Sequence, residues 1–304
     1  MTTAFVLSGG GNLGAVQVGM LRALTEAGVT PDLLVGTSVG AINAGFVAAH
    51  GTGSAALQTL QRQWIGTRRH DIFPIDPARH LRAVTGSTAS LFSNAGLRRI
   101  VQTHLAGVRL ERTAIAVRVI ATDLLSGLEA VLEHGDATTA ILASTAIPGI
   151  YPPVVVGDGP PLVDGGLADN TAVSVAVQAG ADRVIVLPTG FPCALSGAPR
   201  SAIAISLQAL GIMIQQRLIQ DMERMAARTK IATMPPLCPV KVSPLDFGQT
   251  GALIERAYRE SVRWIDAGGL ERARPEQYLA PHRHERDGSR VPGVPGRGER
   301  PAAP

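Results

Sequence analysis

The residue best placed to do covalent chemistry is Ser38, in the stretch "LLVGTSVGAINAG". Gly36, Ser38 and Gly40 form G-x-S-x-G between an apolar run that reads as a strand and a small-residue run that reads as a helix. In that context the pattern marks a nucleophile elbow. The turn is sharp enough to hold the serine Oγ clear of the backbone, at a helix N-terminus that favours developing negative charge. An ordinary glycine-rich strand-to-helix turn would carry the same letters, so the case depends on partners for the serine.

A free hydroxyl is a poor nucleophile and needs a base. The usual base is a histidine oriented by a carboxylate, but the seven histidines here stand in no recognisable motif. Only His282 and His284 follow Asp164, and both sit near the C-terminus. The other candidate is Asp164 itself, in "PLVDGGLADN". A carboxylate at a strand end beside two glycines can approach another backbone closely and act as general base directly. D-G-G is equally the composition of a plain turn. The third pattern, "LSGGGNLG", reads two ways as well. Gly9, Gly11 and Gly14 spell the dinucleotide fingerprint G-x-G-x-x-G, whereas Gly9, Gly10 and Gly11 suit a loop whose N–H groups hold an oxyanion. A dinucleotide site wants an acidic residue at the end of the second strand. This chain places Gly36-Thr37-Ser38 there, and Asp32 lies at the strand's wrong end.

Taken together and in order, "GGGNLG", "GTSVG", "ASTAIP" (residues 143–148) and "DGG" resemble the patatin-like phospholipase family over roughly residues 4–190. The resemblance implies a Ser–Asp dyad without histidine and hydrolysis of lipid ester bonds; no cofactor or metal is expected, since Asp158 and Asp169, near Asp164, lack EF-hand spacing. Carried onto this chain, the nucleophile is Ser38, the base is Asp164, the oxyanion donors are the N–H groups of Gly9, Gly10 and Gly11, and residues 143–148 are a supporting segment. Two positions depart from the family pattern: Leu13 stands where many members have Arg or Lys, and Ala172 stands where many have Pro. The first removes a cation from the glycine loop. A soluble carboxylesterase or thioesterase with the same dyad is the alternative reading, after which come a nucleotide-binding protein and a non-catalytic protein that kept the fold.

The elements that must position these residues are short. Strands are expected at residues 4–7, 33–35, 113–121, 129–132 and 183–187, and a hairpin at 152–166 with its turn at 157–159. Helices are expected at 15–27, 41–50, 55–65, about 94–105 with Ser93 as N-cap, 137–144, 172–179, 201–227 and 251–267. Residues 68–93, with Pro74, Pro77 and Gly86, read as an irregular cap or active-site loop. Strands alternating with helices argue an α/β fold, a three-layer sandwich with a central, mostly parallel sheet flanked by helices. Residues 1–280 are expected to form one domain and 281–304, rich in Pro, Gly and charge, a disordered tail. Ile147, Ile150, Tyr151 and Val154, and a helix bearing Leu207, Leu210 and Ile214, are candidate walls for an apolar entry as well as ordinary core.

Composition agrees with that class. Hydrophobic residues make up 45% of the chain and aromatics 4%, which suits a large core and disfavours the aromatic platforms of a nucleic-acid binder. The net charge is +4, the cations are almost all arginine, and there is no polybasic run. Such an excess fits a solvated surface or a weak attraction to an anionic headgroup layer. The partners expected are therefore a lipid or fatty-acyl ester and peripherally a membrane, with no nucleic acid. Cys193 and Cys238 match no metal spacing and are too few for a disulfide framework. No cleavable signal pattern is seen and the run at 202–222 is too polar to span a bilayer, so a cytoplasmic site is expected.

Overall fold

Alternation along the central strands builds two cores. In the computed structural model, which describes residues 1–190, 228–243 and 245–271 together with isolated stretches elsewhere, β1 (Thr3–Leu7) sends Phe5 and Leu7 to one face and Ala4 and Val6 to the other. β2 (Leu33–Thr37) and β7 (Arg183–Leu187) split the same way: Leu34, Ile185 and Leu187 join the first core, and Leu33, Val35, Val184 and Val186 join the second. Strands buried on both faces read as unbroken apolar runs, which explains their legibility in the sequence.

The sheet has eight strands in the order β5-β6-β3-β2-β1-β7-β8, with β4 paired to β3. β3 (Ala116–Asp123), β2, β1, β7 and β8 (Lys230–Thr233) are parallel to one another. β4 (Glu129–Leu132), β5 (Val154–Val155) and β6 (Pro161–Asp164) pair antiparallel. Helices α1 (Ala15–Glu26), α2 (Val39–His50), α3 (Ser54–Gly66), α6 (Ala95–Leu105), α7 (Ala137–Ser144) and α9 (Thr250–Asp266) cover the larger core. α8 (Val173–Gln178) covers the smaller one. The expected three-layer α/β architecture with a mostly parallel sheet is what the chain adopts.

Three expectations need correction. Residues 68–93 are not irregular throughout: they contain α4 (Arg69–Ile72) and α5 (Pro77–Val84). Pro77 starts structure rather than breaking it, since it sits in the first turn of α5 and the Asp76 side chain accepts from the Arg79 N–H at 3.0 Å. The region after residue 200 is not only helical, because β8 extends the sheet beside β7. A four-residue strand ending near prolines is too short to show a period. The cap of α6 is Asn94, although Ser93 Oγ still accepts from the Ala95 N–H at 3.2 Å. The expected helix at 201–227 is described only in pieces, and Leu207, Leu210 and Ile214 lie outside the described residues. The tail expectation also lies outside them, apart from a two-residue antiparallel pair, Arg283–His284 with Arg290–Val291.

Candidate active site

The parallel strands end together, and the residues just beyond their ends form the site. β1 runs into the glycine loop and β2 into Ser38, the arrangement expected of ligand crevices at the carboxyl ends of parallel strands. Ser38 is the one non-glycine residue with positive φ among the described residues, at φ 53° and ψ −122°. That strained backbone is what aims its side chain off the turn. The tight approach requires glycine at Gly40, where an added Cβ would lie 2.1 Å from the Leu7 carbonyl oxygen.

Ser38 Oγ donates to Asp164 Oδ2 at 2.7 Å. The carboxylate stands at the end of β6, and its second oxygen, Oδ1, accepts from the Gly166 N–H at 2.8 Å. Its main chain is fixed as well: the Asp164 N–H donates to the Ala146 carbonyl at 2.9 Å, and Thr122 Oγ1 donates to the Asp164 carbonyl at 2.9 Å. Asp164 is 7% exposed. Burial raises its pKa from 3.8 to about 6, against the lowering effect of the bonds from Ser38 and Gly166. The pair expected from the sequence is thus in contact. The arrangement can move a proton from a hydroxyl to a carboxylate whose basicity burial has increased.

The loop above Ser38 divides the three glycines. Gly9 donates its N–H to the Asn170 carbonyl at 3.3 Å, so this expected oxyanion donor is already engaged. Its value is closeness: a Cβ there would meet Ser38 Cβ at 2.9 Å. Gly10 and Gly11 line the same cavity as Ser38, and among the described residues no acceptor takes their N–H groups. The loop is held from below. Thr189 Oγ1 donates to the Gly9 carbonyl at 2.6 Å, and Gln17 Nε2 donates to the carbonyls of Ser8 and Leu187, both at 2.9 Å.

Sequence reasoning named residues 143–148 as support but did not isolate the residue that supplies it. Ser144 Oγ accepts from the Ser38 N–H at 2.8 Å and donates to the Ile120 carbonyl at 2.5 Å. It thereby ties the elbow to β3. No local signal separates Ser144 from the small residues around it, because its partners are distant in sequence. Thr122, Gln17 and Thr189 escaped notice for the same reason.

Ser38 and Asp164 open into a cavity of about 170 Å³ whose walls are mainly apolar, including Leu13, Trp64, Phe73, Leu97, Ile147 and Tyr151. No histidine and no cation lines it among the described residues. Leu13 is 1% exposed, so the position that departs from the family pattern belongs to the wall and the core together. Among the described residues no group of three or more His, Cys, Asp or Glu side chains could hold a metal ion, and no helix is long and apolar enough to cross a membrane.

Comparison with known proteins bears on what this site is. The family model described as patatin-like phospholipase matches residues 5–177. Patatin-like phospholipase domain-containing protein 7 of Rattus norvegicus is 27% identical over 300 residues, covering 90% of this chain and 22% of that protein. An uncharacterized NTE family protein of Mycobacterium tuberculosis is 33% identical over 171 residues, covering 56% of this chain and 27% of that one. The chain therefore spans about a quarter of the length of these relatives. Human GIVD cytosolic phospholipase A2, solved in complex with methyl gamma-linolenyl fluorophosphonate, superposes loosely: TM-score 0.45, 11% identity, 90% of this chain and 58% of that chain. The assignment rests on the sequence match, which takes in the glycine loop, the elbow and the D-G-G turn and exceeds half of the chain: the protein belongs to the patatin-like phospholipase family.

Proposed function

We propose that this protein is a serine lipid acyl hydrolase that cleaves carboxylic ester bonds through Ser38 and Asp164. The observation that carries the reading is the 2.7 Å bond from Ser38 Oγ to a buried Asp164 at an apolar cavity. Asp164 accepts the hydroxyl proton as Oγ attacks the ester carbonyl carbon. The tetrahedral oxyanion receives the N–H groups of Gly10 and Gly11 and the positive end of α2. Collapse breaks the bond to the leaving alcohol, which takes the proton from Asp164. Water, deprotonated by the same carboxylate, then attacks the acyl-enzyme and frees the fatty acid and Ser38.

The cavity wall supports a long acyl chain as the bound portion. Apolar side chains supply transfer free energy of about 0.8 kcal/mol per buried methylene, and no cation is placed to hold a phosphate within the cavity among the described residues. A fluorophosphonate probe is expected to label the wild-type serine, with Ser38→Ala unlabelled. Turnover of acyl esters is expected to fall about a thousandfold or more in both Ser38→Ala and Asp164→Ala. Wild-type rates in either variant would reject the dyad. Rates that rise with acyl length favour the lipid reading, and rates indifferent to it favour a soluble carboxylesterase.

A further inference from the structure

Two segments at the edge of the cavity are built inside out. In the first, Ile75 is 83% exposed and Leu81 is 67% exposed, while Arg79 and His80 of α5 face the protein. Arg79 Nη2 donates to Ser90 Oγ at 2.7 Å, and the His80 ring meets Phe92 edge-on with centroids 5.2 Å apart. Ile75, Ala78 and Leu81 recur at every third residue, so they share the outward face. In the second, helical pieces within 204–213, Gln208 and Gly211 line the cavity while Ile205, Ile212 and Met213 are exposed. A helix bordering water normally turns its apolar side inward. The first segment reaches the cavity through Ile72 and Phe73. It is anchored there by Tyr151, whose hydroxyl donates to the Ile72 carbonyl at 2.6 Å and whose ring stacks near Phe73.

Charge is distributed in the same way. Residues 62–99 contain seven arginines and two aspartates, a local excess of five cations that exceeds the +4 of the whole chain. Arg68, Arg69 and Arg82 are exposed. Residues 183–220 contain no aspartate or glutamate. Exposed apolar side chains and arginines, in chain segments that also supply lining residues to an acyl-sized cavity, form a pattern that an interfacial bilayer complements.

We propose that this face docks on an anionic phospholipid bilayer. Ile75, Leu81, Ile212 and Met213 enter the headgroup–acyl boundary, and Arg68, Arg69 and Arg82 meet the phosphates. An acyl ester can then pass from the bilayer to Ser38 without crossing water. The proposal deepens the lipid-hydrolase reading, on which it rests for its purpose. A second copy of the chain is a poorer occupant, because a self-complementary contact would set one cationic face against another.

The test is sedimentation of the full chain with vesicles of phosphatidylcholine, with and without phosphatidylglycerol. Hydrolysis of a soluble short-chain ester is measured in parallel. The wild type is expected to bind the anionic vesicles far more tightly. Ile75→Asp/Leu81→Asp should lose binding to both vesicle types. Arg68→Glu/Arg69→Glu/Arg82→Glu should bind anionic vesicles about a hundredfold more weakly. Both variants should keep wild-type turnover of the soluble ester. Undiminished vesicle binding by either variant overturns the proposal. So does equal binding of the wild type to the two vesicle types, or a dimer that Leu81→Asp dissociates in the absence of vesicle binding. Tight binding to anionic vesicles by a wild type that hydrolyses no ester supports the docking face and rejects the hydrolase reading.

Discussion

At the residue scale the site turns on one carboxylate in two roles. Burial of Asp164 raises its pKa to about 6, and a base must be deprotonated to act. The pH profile of kcat/KM is therefore expected to rise through about pH 6 to a plateau, rather than near pH 4 as for an exposed aspartate. The same shift has a consequence for stability with the opposite sense from a salt-bridged aspartate. Between the unfolded value near 3.8 and the folded value near 6 the native state holds the extra proton. Stability from this group is thus fully present below pH 3.8 and lost as pH rises through 6. Asp164→Asn is expected to abolish turnover yet raise stability by on the order of 1–3 kcal/mol at pH 8. Denaturant melts at pH 4 and pH 8 check this: the gain should shrink at the lower pH. Ser38 and Asp164 were both legible in the sequence because each lies in a short motif. Their contact was implied by resemblance, since D-G-G alone is also the composition of a turn.

At the scale of elements the question is what keeps Ser38 aimed. The elbow is strained at φ 53°, and Ser144 of α7 clamps it to β3 by bonding both the Ser38 N–H and the Ile120 carbonyl. Ser144→Ala removes the side-chain partner of the Ser38 N–H and of the Ile120 carbonyl. It is expected to cost about 1–3 kcal/mol of stability and to slow kcat about tenfold or more, with KM little changed. A matching loss in fluorophosphonate labelling rate at a temperature where the variant is folded would separate misaiming from unfolding. β1 and β7 were readable to within a residue, whereas β2 runs two residues past its expected end and β3 begins three residues later and ends two residues later than expected. α4, α5 and β8 were not readable: each is short, and β8 forms only beside the distant β7.

At the scale of the whole molecule, α9 closes the first core. α9 packs on α1, with Leu253, Ile254, Ala257 and Trp264 in the same cluster as Phe5 and Leu34. The approach is close enough that a Cβ at Gly19 would lie 2.3 Å from the Ile254 carbonyl oxygen. Gly19→Val should therefore destabilise the fold by about 1–3 kcal/mol or more through overpacking, read as a lowered denaturation midpoint. The glycine loop shares this dependence, since Asn12 Nδ2 donates to the Asp246 carbonyl and Thr250 Oγ1 donates to Asn12 Oδ1 at 3.3 Å. The loop over Ser38 is thus steadied by residues more than 230 positions away.

The sequence alone pointed to the class of fold through its strand periods, and singled out Ser38 and Asp164 through the order of four local motifs. Tertiary structure decided the rest. It engaged Gly9 with Asn170 and left Gly10 and Gly11 without an acceptor among the described residues, assigned Ser144 to hold the elbow, and made Leu13 part of an apolar wall. It also turned Leu81 of α5 outward. Each of these depends on which distant backbone arrives beside a residue, and no spacing along the chain encodes that.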